Sequence, residues 1–285
     1  MNNEQELKAM VKEKYSAIAN QPKDQNAASC CGATGCCSTD EVYNIMSDDY
    51  TQLDGYNPDA DLGLGCGLPT EHARIGAGQT VIDLGSGAGN DAFIARRLVG
   101  ESGKVLGIDF TEAMVNKARA NAEKLGYNNV EFRLGDIDDM PVTSNYADVI
   151  VSNCVLNLVP NKHKVISEMY RVLKPGGHFS VSDIVLEGHL PAQWKQVAEL
   201  YAGCVSGAVQ QQVYLEMITE AGFTNMQLQK EKPIIIPDEV LLQHLSAEEV
   251  AAFKQSNVAI KSITVFAQKP AKDDRNCCEP GSGCC

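Results

Sequence analysis

Short apolar segments alternate with amphipathic stretches through the middle of the chain. Five of these segments have the composition of buried parallel strands, at residues 80–85, 104–110, 129–136, 147–153 and 177–185. Between them, residues 112–126 and 162–174 carry apolar side chains at the three- and four-residue spacing of helices. Strands that alternate with helices of this length form βαβ units, so the pattern predicts an α/β fold with a doubly wound, mostly parallel sheet.

The two ends of the chain follow other patterns. Residues 1–20 have helical spacing, whereas residues 20–40 are polar and contain two cysteine doublets. Two late apolar runs, 226–237 and 260–269, predict strands that add an antiparallel edge to the sheet. We expect four parts, which are an N-terminal helix with a mobile cysteine-rich segment (1–60), a ligand-binding α/β core (61–190), a C-terminal part with the edge strands (191–269) and a flexible cysteine-rich tail (270–285).

Composition and charge narrow the function classes. The 285 residues carry a net charge of −13, and such an acidic chain is a poor partner for nucleic acid or an anionic membrane. No apolar run approaches the roughly 20 residues that span a bilayer, and the N-terminus lacks the apolar core of a signal peptide. We therefore expect a cytoplasmic protein, in which eleven reduced cysteines serve metal binding, metalloid binding or catalysis rather than a disulfide framework.

A glycine-rich segment follows the first predicted strand, in the sequence VIDLGSGAGN at 81–90. Glycines at such a turn let the backbone approach a ligand closely. The dinucleotide fingerprint requires a further glycine at position 90, where this chain has Asn90. The segment therefore suits S-adenosylmethionine better than NAD, which is the main alternative cofactor. The candidate contacts in this segment are Asp83, Gly85, Ser86, Gly87 and Gly89.

Further candidate contacts stand at the ends of the next strands. Asp109 ends the second strand, where a carboxylate can accept both ribose hydroxyls, and Asp136 ends the third, where it can accept the adenine amino group. Ligands of open α/β sheets bind at the carboxyl ends of the strands, so these positions agree with one another. The alternative is that both acids are solvated turn residues. Their neighbours Phe110 and Ile137, and Asn153 at the end of the fourth strand, complete the predicted cofactor site.

Three cysteines stand alone, whereas the other eight occur as doublets near the ends. Cys66 lies in a glycine-rich segment where we expect its thiol to be exposed on a bending loop. Cys154 follows the fourth strand, and Cys204 lies among small residues. Each alone is as consistent with a small buried hydrophobic residue. If the three thiols converge over the methyl group of S-adenosylmethionine, they suit a pyramidal As(III) centre, because thiolates select soft ions. A closed zinc site often begins with a C-x₂-C pair, and this chain has no such pair.

Several segments resemble the S-adenosylmethionine-dependent arsenite methyltransferases, bacterial type. They are LGLGCGLPTEHA (62–73), VIDLGSGAGND (81–91), VSNCVLNLVPNKHKV (151–165), RVLKPGG (171–177), SVSDIV (180–185) and AGCVSGA (202–208). The resemblance implies a class I, Rossmann-like methyltransferase fold in which Cys154 and Cys204 hold As(III). It also implies that Cys66 is a third cysteine required for the first methylation.

The resemblance further implies a disulfide relay between Cys66 and an N-terminal cysteine. Cys30, Cys31, Cys36 and Cys37 all compete for that role, and we select Cys31. At two positions the chain departs from some members, since Leu64 replaces a tyrosine near the donor sulfur and Gly203 replaces a glutamate. The C-terminal CCEPGSGCC is not a general family feature, and it either delivers arsenic or is simply rich in thiols.

The expected function is methyl transfer from S-adenosylmethionine to As(III) or its thiol conjugates, giving methylarsenicals and detoxifying arsenic. Glutathione or thioredoxin is the expected reductant. One alternative is a methyltransferase for a carbon, oxygen or nitrogen acceptor with incidental cysteines, although oxygen or nitrogen acceptors usually need a nearby base. The other is a thiol-based metalloid-binding protein that does not catalyse.

Overall fold

The computed structural model describes residues 3–20, 48–188, 207–234, 245–256 and 258–271, together with Asp238 and Leu242. Helices separate most of the described strands. The helices are α1 (Asn3–Asn20), α2 (Pro69–His72), α3 (Asn90–Val99), α4 (Glu112–Leu125), α5 (Lys162–Val172), α6 (Gln211–Glu220) and α7 (Ala247–Gln255). The strands are β1 (Thr80–Leu84), β2 (Lys104–Asp109), β3 (Val130–Leu134), β4 (Ala147–Asn153), β5 (Leu173–Glu187), β6 (Val209–Gln210), β7 (Thr224–Pro233) and β8 (Ala259–Gln268).

These strands form one mixed sheet in the order β3-β2-β1-β4-β5-β8-β7, with the short β6 beside β5. Strands β1 to β5 pair in parallel, whereas β8 pairs antiparallel with both β5 and β7. The expected fold class is therefore confirmed, including the antiparallel C-terminal strands. The last described strand is not at the edge of the sheet, because β8 inserts between β5 and β7.

The parallel strands are apolar because helices cover both of their faces. Along β1, Val81 belongs to one buried cluster with residues of α3 and α4, and its neighbour Ile82 belongs to the cluster on the opposite face. Alternate residues of a strand point to opposite faces, so a strand covered on both sides must be apolar throughout. This is why the strands were recognisable as continuous apolar runs.

The region around Pro175 differs from expectation. The predicted helix over 162–174 ends at Val172, and β5 begins at Leu173 rather than at 177. The backbone amide of Gly176 donates to the Lys269 carbonyl at 3.0 Å, and Lys269 in turn donates to Gly177 at 2.8 Å. Contacts with the end of β8 thus extend the strand across a Pro-Gly-Gly stretch that in isolation favours a turn.

The described ranges contain no helix that combines the length and the apolar composition of a membrane span. The doublet cysteines at 30–37 and 277–285, and most of the segment that carries Cys204, lie outside the described residues.

Candidate active site

The turn after β1 contains the glycine-rich segment. Gly85, Gly87 and Gly89 have positive φ angles of 64°, 51° and 102°, which residues with a side chain rarely adopt. At Gly85 a Cβ atom would also lie 2.4 Å from a methyl carbon of Val155. Helix α3 begins at Asn90, immediately after this turn. Both the backbone angles and the close approach therefore require glycine here.

A cavity lies between this turn and the carboxyl ends of β2, β3 and β4. It encloses about 1080 Å³, counting the part that is open to solvent. Most of the predicted cofactor contacts line it, namely Asp83, Gly85, Ser86, Gly87, Asp109, Phe110, Asp136, Ile137 and Asn153. Gly89 does not line it, and a Cβ there would lie 2.7 Å from Phe93. The fold thus brings the predicted positions together where open α/β sheets bind their ligands.

Buried polar atoms in this cavity lack partners within the described part of the chain. They are Oδ2 of Asp83, Oγ of Ser86, Oδ1 of Asn90 and Oγ1 of Thr111. Such atoms are rare in folded proteins, because each costs free energy unless a ligand or a water bonds to it. S-adenosylmethionine carries an ammonium group and two ribose hydroxyls that can donate to acceptors of this kind. The residues present therefore fit this cofactor.

The cavity is strongly acidic. Asp83, Asp91 and Asp109 line it and are nearly inaccessible to solvent. Burial raises the pKa of all three carboxyls, and at Asp83 the charges of the other two raise the pKa further. For Asp109, amide donors at Gly87 (3.0 Å) and Thr111 (2.8 Å) oppose the increase in pKa. A cavity with several buried carboxylates favours a cationic ligand, and S-adenosylmethionine is a sulfonium cation.

Helix α1 closes one side of the cavity, which the sequence did not predict. Lys8, Val11 and Tyr15 stand one helical turn apart and all line it. The Lys8 ammonium lies 2.9 Å from Asp138 and 3.5 Å from Asp136. The side chain of Asp136, which we expected to bind the adenine amino group, is about half exposed and lies close to this ammonium group. The sequence showed the three- to four-residue spacing of apolar side chains in α1, but it did not show which part of the protein that helix face packs against.

Two of the three lone cysteines are described, and both are buried. Cys66 is 0% exposed and Cys154 is 2% exposed, and they belong to one apolar cluster with Val11 and Leu158. Cys154 lines the cofactor cavity. The expectation that the Cys66 thiol is exposed on a bending loop is therefore wrong, because side chains from other elements hold and cover that loop.

Cys154 adopts a strained backbone conformation. Its φ is 61°, in the left-handed region that a residue with a Cβ enters at a cost of roughly 1 kcal/mol or more. Its amide donates to the carbonyl of Ser182 at 2.8 Å, which fixes the chain at this turn after β4. A cysteine in a conformation that suits glycine motivates a functional role for its side chain.

Two of the predicted thiols cannot be placed. Cys204 and Cys31 lie outside the described residues. Within the described ranges, no group of three His, Cys, Asp or Glu side chains could hold a metal ion. The proposed three-thiol site therefore has two of its members located.

Comparison with known proteins identifies the family. A family model described as a methyltransferase domain matches residues 75–222. An arsenite methyltransferase of Halobacterium salinarum is 38% identical to this chain, over 95% of the chain and 68% of the relative. The chain belongs to the arsenite methyltransferase family.

Other comparisons agree with this assignment. An arsenite methyltransferase of Aquipseudomonas alcaligenes is 34% identical, over 82% of this chain and 67% of the relative. The crystal structure of an arsenic(III) S-adenosylmethionine methyltransferase from Chlamydomonas reinhardtii superposes with a TM-score of 0.62 at 34% identity, covering 72% of this chain and 68% of that chain. This arsenite methyltransferase family member is thus an S-adenosylmethionine-dependent enzyme with the class I fold, as the sequence predicted.

One buried carboxyl of this methyltransferase has a raised pKa that sequence reasoning did not reveal. Asp183 in β5 is 0% exposed, and burial raises its pKa to about 7. It accepts hydrogen bonds from Asn157 Nδ2 at 2.8 Å and from the Tyr214 hydroxyl at 3.4 Å. Burial raises the pKa of Tyr214 most, and electrostatic contributions from Asp183, Cys66 and Cys154 raise it further, so Tyr214 lies within electrostatic range of both cysteines. The sequence predicted the strand that contains Asp183 but gave no signal of the complete burial of its carboxyl.

Proposed function

We propose that this chain methylates As(III) held by the thiolates of Cys66, Cys154 and Cys204, with S-adenosylmethionine as donor. The observation that carries the proposal is that two buried thiols from separate loops share one cluster, and that one of them also lines the acidic donor cavity. S-adenosylmethionine supplies a methyl group on a sulfonium, which leaves as a neutral thioether. Family membership supports the acceptor.

Capture of arsenite by these thiols is chemically balanced. Three thiols and arsenous acid form three As–S bonds and release three waters, so no net proton is lost. Arsenic then keeps its lone pair on the side opposite the sulfurs, and that pair carries no proton. The transfer needs no general base, which agrees with the apolar surroundings of Cys66 and Cys154. The role of the protein is to position the two partners and to exclude water.

The methylated product needs a reductant. Formation of a C–As bond from the arsenic lone pair oxidises arsenic from the trivalent to the pentavalent state. The trivalent state is restored when a free thiolate attacks an arsenic-bound cysteine sulfur: an S–S bond forms, the As–S bond of that cysteine breaks, and its electron pair stays on arsenic. We place this step on Cys66 and Cys31, with glutathione or thioredoxin returning two electrons to the disulfide.

The test compares Cys154→Ser and Cys204→Ser with the parent enzyme. Both variants are expected to lose arsenite methylation by more than a hundredfold, while titration calorimetry gives an unchanged S-adenosylmethionine affinity. A tail variant, Cys285→Ser, provides the matched control and is expected to keep the parent rate. Full activity in either site variant would show that the thiols are incidental.

A further inference from the structure

A buried polar cluster joins the Cys66 loop to the cofactor cavity. It consists of Tyr50, Asp91 and Asn153, all of which line the cavity. The Tyr50 hydroxyl lies 3.0 Å from Asp91 Oδ2 and 3.0 Å from the Gly67 carbonyl, and it also accepts a hydrogen bond from the Asn153 amide. We call these three side chains the Tyr50 cluster.

The Tyr50 cluster holds the backbone on both sides of the Cys66 side chain. Asn153 Oδ1 accepts from the Cys66 amide at 2.9 Å, and Asn153 Nδ2 donates to the Gly67 carbonyl at 2.8 Å. The loop also runs very close to the sheet, since a Cβ on Gly65 would lie 2.6 Å from Asn153 Nδ2. The position of Cys66 is therefore set by side chains from distant elements rather than by its neighbours in sequence.

Asp91 also connects the Tyr50 cluster to the glycine-rich turn that borders the cofactor cavity. This residue is the second of α3, which starts directly after the glycine-rich turn. Its carboxylate accepts from Tyr50, from Asn153 Nδ2 at 3.4 Å and from Thr70 at 3.4 Å. All three groups are donors, so their bonds are strongest when Asp91 is ionised.

A change of charge in the cavity therefore changes how firmly the Tyr50 cluster holds the loop that carries Cys66. Asp91 lies among buried carboxylates, and burial raises its pKa. A positive charge in the cavity favours the ionised form of Asp91 and so strengthens the bonds that Tyr50 and Asn153 donate to it. Those two side chains in turn hold Cys66 and Gly67.

We propose that the Tyr50 cluster couples the donor cavity to the arsenic-binding thiols. A cation in the cavity tightens the Cys66 loop and raises the affinity for As(III), and bound As(III) raises the affinity for the donor by the same factor. Tyr50 and Asp91 act here as positioning residues. The As(III) half of this coupling rests on the proposed function.

Tyr50→Phe tests the coupling, with Tyr56→Phe as the matched control. Tyr56 also donates its hydroxyl to a carboxylate, that of Asp61 at 3.1 Å, but it makes no bond to the Tyr50 cluster. The probe is sinefungin, which carries an amine in place of the sulfonium and has no methyl to transfer. The measured quantity is the As(III) dissociation constant with and without saturating sinefungin.

Sinefungin is expected to raise As(III) affinity about tenfold in the parent enzyme and in Tyr56→Phe, as one charge-assisted hydrogen bond allows. In Tyr50→Phe, sinefungin is expected to change the As(III) dissociation constant by less than twofold. The proposal is overturned if Tyr50→Phe keeps the parent factor. It is equally overturned if Tyr56→Phe loses it, because general loosening of the segment would then be the cause.

Amide hydrogen exchange over residues 64–67 decides the coupling without arsenic. The Cys66 amide is bonded to Asn153, so sinefungin is expected to slow its exchange about tenfold in the parent enzyme and less than twofold in Tyr50→Phe. A parent enzyme that fails to bind As(III) would contradict the proposed function alone. Exchange that does not respond to sinefungin in the parent enzyme would contradict the coupling itself.

Discussion

Replacing Asp183 by asparagine is expected to stabilise the folded chain at neutral pH. The carboxyl of Asp183 is completely buried in β5 and accepts hydrogen bonds from Asn157 Nδ2 (2.8 Å) and from the Ile184 amide (2.9 Å). An asparagine oxygen can accept the same two bonds, and its amide can donate to the Tyr214 hydroxyl, which lies 3.4 Å from the other carboxyl oxygen. The substitution therefore removes a charge and keeps the hydrogen bonds.

The size of the effect follows from the pKa of Asp183, which burial raises from 3.8 to about 7. The Lys162 ammonium lowers this pKa but offsets only part of the burial penalty. Between these two pKa values the folded state binds a proton that the unfolded state has released, so stability falls as pH rises. Each pH unit costs about 1.4 kcal/mol, and the sum over the window is about 4 kcal/mol.

Urea unfolding at several pH values between 5 and 8 measures this contribution. The advantage of Asp183→Asn over the parent chain is expected to grow by a few kcal/mol from pH 5 to pH 7 and then to level off. Glu168→Gln is the control, because Arg171 lowers the pKa of Glu168 and its contribution is lost only in more acidic solution. A difference between Asp183→Asn and the parent that does not change with pH would refute the reasoning, since Lys162 would then keep the carboxylate ionised.

Three further outcomes follow from the cavity and its walls. Calorimetry is expected to show S-adenosylmethionine affinity falling as pH drops through about 6, where Asp91 becomes protonated, with a smaller change for the neutral S-adenosylhomocysteine. Lys8→Gln is expected to weaken donor binding about threefold by loosening α1, whereas Lys12→Gln, exposed on the same helix, leaves it unchanged. Gly67→Ala would place a methyl 2.5 Å from Ser182 Oγ, so methylation is expected to fall at least tenfold and to recover partly with Ser182→Gly; an unaffected rate would show that the loop is loose.

The sequence determined the parts that depend on local pattern. Strands β1 to β4 lie within two residues of their predicted ends, because a strand buried on both faces is an uninterrupted apolar run. The glycine-rich turn was visible because positive φ and close approach leave little choice of residue. The family and the cofactor could be predicted from the segments around Cys66, Cys154 and the glycine-rich turn, because binding the cofactor and the substrate restricts which residues can stand there.

Only the tertiary structure decided how those parts meet. The backbone position of the Cys66 loop depends on Asn153 and Tyr50, which are 87 and 16 positions away from Cys66 along the chain. The closure of the cavity by α1 depends on Lys8 reaching Asp138, 130 positions away. Apolar spacing indicates that a face is covered but carries no information about what covers it. The shifted pKa values of Asp91 and Asp183 belong to the same class, because desolvation is produced by the packing of distant segments rather than by neighbours in sequence.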